Sequence, residues 1–97
     1  MLDNITKEWF SERLNQTFRI TAGEEVIDTE LVDCSGLGGD RIEGGREPFS
    51  IVLRSAMETA LEQQTYRVAH SELGELDIFL VPIGPDKTGM RYEAVFT

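Results

Sequence analysis

The chain has 97 residues, with eighteen Asp and Glu against nine Lys and Arg, for a net charge of −9. That balance excludes a nucleic-acid partner, which needs a basic stripe to gain from counterion release, and it disfavours an anionic membrane surface. A chain this short buries roughly two-thirds of its unfolded surface, and its 40% hydrophobic content suits one core over residues 1–97 without disulfide, metal or cofactor.

Met1 to Phe10 carries no basic segment followed by an apolar one, so no export leader is expected. Thr6 reads as an N-cap, with Ile5 and Phe10 placed as a hydrophobic staple. Phe10 and Leu14 then share a helical face, and Asn15 suits a left-handed stop. The expectation is about two and a half turns of amphipathic helix, laid over the outer face of the C-terminal hairpin at Phe79, Val81 and Val95.

Thr17-Phe18-Arg19-Ile20-Thr21 alternates and is β-branched, the pattern of a strand. After a turn at 22–25, residues Val26 to Cys34 read as a second strand, with Val26 and Val32 on one face and Ile27 and Leu31 on the other. A bulge near Asp28–Glu30 would reconcile the two. The lone Cys34 forms no intramolecular disulfide and fits a reducing compartment, so the cytoplasm is the default location. Incorporation into a virion-like or secreted assembly remains compatible with it.

Ser35 to Pro48 holds five glycines and five charges without periodicity, longer than most connections in a small domain. Phe49 to Arg54 is a third strand. Ser55 to Gln63, with Ala56/Ala60 and Met57/Leu61 at helical spacing, reads as a short helical turn. Tyr66 to His70 is a fourth strand. From Leu73 to Ile83 both faces are apolar, Leu76, Ile78 and Leu80 on one and Phe79, Val81 and Ile83 on the other. The longest apolar run, Ile78 to Pro82, is too short to span a bilayer, so membrane insertion is not expected. Gly84 to Gly89 is a dense turn signal. Met90, Tyr92, Ala94 and Phe96 then alternate with Arg91, Glu93 and Val95 on the return strand. The sum is a mainly β domain: a small antiparallel barrel or curled sheet of about six strands with an N-terminal helix.

Several of these segments together resemble a domain-of-unknown-function family of small bacterial proteins. They are Phe10-x-x-x-Leu14-x-x-x-Phe18, Gly45-Arg46-Glu47-Pro48-Phe49-Ser50-Ile51-Val52-Leu53, Gln64-Thr65-Tyr66-Arg67-Val68-x-His70, Leu73-Gly74-x-Leu76-x-Ile78-Phe79-Leu80-Val81-Pro82-Ile83-Gly84 and Tyr92-Glu93-Ala94-Val95-Phe96. The chain departs from the pattern at Gln16, where glycine is usual, and over Ser55–Leu61, where the resemblance implies a plain connection. It also implies an accessory or assembly role beside phage-tail or fibre-like components.

Chemistry is thinly signalled. Cys34, His70 and Asp33 or Asp77 are the residue types of a nucleophile, base and orienter, yet Cys34 ends an apolar strand as buried thiols do. His70 precedes a turn it is placed to hydrogen-bond. Asp40, Glu43 and Glu47 lack the spacing of a calcium loop, and one Cys with one His does not make a zinc site. The glycines at 36–39 and 44–45 lead into a strand rather than a helix, which is not a phosphate cradle. What remains is surface. Arg41, Ile42, Arg46 and Glu47 of the long loop, Trp9 on the helix, and Phe79 and Val81 on the outer hairpin face are the candidate partner-binding residues. The reading is a non-enzymatic structural or protein-interaction module, with a protein partner or self-association. The alternative is a small-molecule or carbohydrate-binding barrel with Tyr66 and Tyr92 in its mouth, and behind it a Cys34/His70 hydrolase. An acidic decoy for a nucleic-acid-binding protein is a further reading that net charge allows.

Overall fold

The computed structural model describes residues 6–36, 48–56 and 61–96. One short helix, α1 (Lys7–Ser11), precedes six strands: β1 (Thr17–Ala22), β2 (Glu25–Gly36), β3 (Phe49–Ser55), β4 (Gln64–His70), β5 (Gly74–Pro85) and β6 (Met90–Phe96). All adjacent pairs are antiparallel, and the order β1-β2-β3-β6-β5-β4 closes on itself as a barrel. Closure removes the free edges that an open sheet of this size would expose. The seam is short: β1 and β4 pair through only Arg19–Ala69, Ile20–Val68 and Thr21–Arg67.

Alternation decides what fills the barrel. Phe18, Ile20, Ile27, Leu31, Ile51, Leu53, Val68, Leu80, Tyr92 and Ala94 point inward and are buried, each large side chain contributing about 1.5–3 kcal/mol. The bulge on β2 falls between Leu31 and Asp33, not at Asp28–Glu30. Ile27, Thr29 and Leu31 keep strict parity because the buried Thr29 hydroxyl donates to the Phe18 carbonyl at 2.6 Å and so tolerates an inward position. A second irregularity, between Pro82 and Gly84, turns β5 beneath the hairpin tip. There Asp86 Oδ1 accepts the Thr88 and Gly89 amides at 2.7 and 2.9 Å. These donors, the Thr88 amide first, hold the Asp86 carboxyl below its ordinary range. Gly89 is obligatory, since a Cβ would run into the Ser55 carbonyl oxygen.

The N-terminal helix differs most from expectation. Thr6 caps it, accepting the Trp9 amide at 3.1 Å, and Asn15 takes the left-handed conformation (φ 72°). The helix itself is only five residues long, so Leu14 lies outside it and is exposed. It does not cover the hairpin's outer face. It packs against β2 and β3 and drives Phe10 into one end of the barrel. Phe10 meets Phe18, Phe49 and Phe96 at centroid distances of 6.0, 5.8 and 5.5 Å. One turn presents one large side chain, enough to plug an end but too little to cover a sheet. Residues 57–60 of the helical turn expected over Ser55–Gln63 lie outside the described residues; Ser55 itself ends β3, and neither Ala56 nor Leu61 to Gln63 is helical.

Candidate interaction surface

Of the side chains singled out by sequence, Trp9 and His70 fall in one region and Phe79 and Val81 in another, and the two regions are built on opposite principles. At the plugged end, β4 finishes at His70 and turns tightly into β5 at Gly74 (φ 82°). The Glu72 amide donates to His70 Nδ1 at 3.0 Å, so the ring proton sits on Nε2 and is donated to Gln16 Oε1 at 2.7 Å. Burial lowers the imidazole pKa, the Glu72 carboxylate partly opposing and Arg13 adding to the shift. Glu72 also takes Arg13 through two bonds, at 3.2 and 3.3 Å. The Arg13 guanidinium lies 4.0 Å over the Trp9 ring, which meets Phe10, Phe18 and His70 edge-on. Trp9 is therefore a half-buried rim to the core, roofed by Arg13.

Among the described residues no hydrogen bond joins Cys34 to His70. Both His70 nitrogens are engaged by Gln16 and Glu72, and Cys34 Sγ donates to the Lys7 carbonyl at 3.5 Å. Asp33 accepts from Ser35, and Asp77 pairs with Arg67. Among the described residues no cluster of three metal-ligating side chains occurs. Tyr66 and Tyr92 do not line an open mouth: both are buried, the Tyr66 hydroxyl donating to the Glu62 carbonyl at 2.6 Å and the Tyr92 hydroxyl accepting the Leu61 amide at 2.8 Å. Burial raises the Tyr66 phenol pKa, with Glu62 adding to it. A groove of about 470 Å³ does open beside the β1–β4 seam, with Gln16, Thr17, Arg19, His70 and Glu75 in its wall. Among the described residues, no helix is long and apolar enough to cross a membrane.

The second region is the outer face of the β5–β6 hairpin, with β3 beside it. Phe79 is 50% exposed, Val95 54% and Ile83 37%, while Val81 is half-buried. Register places them together. Val81 stands opposite Glu93, Glu93 opposite Val52, and Val95 opposite Ser50, while Phe79 lies two residues from Val81 on the same face. Ser50 and Val52, opposite Val95 and Glu93 on β3, are buried although they point outward. Phe79 and Val81 were thus placed correctly by parity. Arg41, Ile42, Arg46 and Glu47 lie outside the described residues.

Sequence reasoning did not single out the charged pair on this face, Arg91 and Glu93. The other described arginines, Arg13, Arg19, Arg54 and Arg67, each hold a carboxylate. Arg91 holds none among the described residues, stands opposite Arg54 on β3, and leaves its Nε buried without a hydrogen-bond partner. Glu93 is likewise without an ion pair there. The signal was an Arg-x-Glu-x-Val alternation beside an apolar outward strand face.

With this geometry in place, comparison with known sequences gives one result. The profile of a domain of unknown function, DUF6916, matches residues 5–96. The chain belongs to that family. No curated protein and no solved structure matches it.

Proposed function

We propose that this DUF6916 member is a protein-interaction module that works through the outer face of its β5–β6 hairpin. The observation that carries the reading is that Phe79, Ile83 and Val95 lie with Val81 on one outer face, whereas the other exposed large hydrophobics among the described residues, Leu14 and Val26, stand apart from it. Isolated exposed apolar residues are ordinary, but a contiguous set beside packed backbone is the composition of an interface core. The barrel is then a rigid scaffold whose interior serves folding. The finer setting is an accessory place in a phage-tail-like or fibre assembly, where a small module contributes by surface complementarity.

A photo-cross-linking amino acid placed at position 79 or 95, with Thr21 across the barrel as control, tests this in cells that make the protein. Discrete protein adducts from 79 and 95, absent from 21, are the expected result. No adducts, or the same diffuse set from all three positions, would sink the reading.

A further inference from the structure

We infer that the occupant of the hairpin face is a second copy of this chain, docked about a two-fold axis so that Arg91 of each copy meets Glu93 of the other. The inference rests on the interaction-module reading and names its partner. A two-fold interface is isologous: whatever residue i meets as j, residue j meets as i, so one face must carry both halves of every complementary pair. This face does. Arg91 and Glu93 sit two residues apart on the outward side of β6, each lacking an ion pair among the described residues, and they flank Phe79, Val81 and Val95.

The strand register also accounts for the lack of an ion pair at Arg91 among the described residues. Its cross-strand neighbour is Arg54, which Glu30 and Asp86 already neutralise at 3.0 and 3.5 Å. Arg54 thus has its acids, while Arg91 has no carboxylate among the described residues. A second copy would supply one to the outer end of its guanidinium.

Net charge at first opposes the idea, because each copy carries −9. The face itself is nearly balanced. Arg91 offsets Glu93, and on the flank Arg67 holds Asp77 at 3.5 Å with Glu75 at 3.9 Å. At physiological ionic strength charges farther than about 8 Å are largely screened. Two copies can therefore meet here while the acidic remainder keeps other faces apart.

Charge exchange provides the test, read as solution mass against concentration by light scattering. The wild type is expected as a dimer. Arg91→Glu alone sets two acids against each other across the axis, and Glu93→Arg alone sets two bases. Each single change should raise the dissociation constant at least about tenfold. The double variant Arg91→Glu/Glu93→Arg restores complementarity and should recover the dimer. Urea midpoints of all three check that the barrel remains folded. A wild type that stays monomeric, or a double variant as weak as the singles, overturns the inference. A monomer whose position-79 probe still captures a different protein overturns the second copy alone and leaves the interaction reading standing.

Discussion

The plugged end and the hairpin face carry similar residue types, aromatic and aliphatic side chains beside arginine and glutamate, but they spend them differently. At the plugged end the aromatic and charged groups are matched, though Leu14 is exposed: Phe10 with three phenylalanines, Trp9 with Arg13, Arg13 with Glu72, and His70 with Gln16 and a turn amide. On the hairpin face Phe79 and Val95 are half-exposed and Arg91 has an orphaned donor. The difference separates what holds the barrel together from what it leaves exposed. Groups matched within the chain can be read for stability, and the proposed association rests on those that are not.

That contrast can be broken in a definite order of effect. Phe10→Ala removes the plug from a fully buried site and should cost about 3–5 kcal/mol, the usual range for a large cavity. Equilibrium urea unfolding measures it, and a loss below about 1 kcal/mol would mean the barrel end is sealed without it. A smaller loss should come from acid. Because the folded state holds the His70 pKa down, the unfolded chain takes up the proton first. The stabilising contribution is complete above the ordinary imidazole value of about 6.5 and is lost as pH falls through the lowered folded one. A thermal melt series across that window should show falling Tm in the wild type and a flatter profile in His70→Gln. Equal slopes would detach the His70 network from stability.

Much of this was legible in the sequence. Period-two alternation located all six strands, and Pro, Gly and Asn marked the turns, because those signals are local. Three things were not local. The helix was placed on the hairpin because an apolar strand face and an amphipathic helix are complementary on paper. Whether the barrel's open end takes the helix instead depends on closure by β1 and β4, which join through only three residue pairs from distant parts of the chain. The β2 bulge was misplaced because Thr29 reads as polar until its hydroxyl is known to reach the Phe18 carbonyl. Arg91 looked like an ordinary solvated charge, since nothing in the alternation reveals that Arg54 stands opposite it. Parity did identify Phe79 and Val81 as outward, and there the sequence pointed to the candidate surface directly.

The smallest expected effect is also the sharpest test of the contrast. Phe79→Thr keeps β propensity and removes the largest side chain of the hairpin face. If that face is surplus to the fold, urea unfolding of the purified variant should show a loss of no more than about 1 kcal/mol, the half-buried share of one phenylalanine. A loss of about 3 kcal/mol or more, on the scale of Phe10→Ala, would show that Phe79 serves the fold, and the division between a matched end and a free face would be wrong.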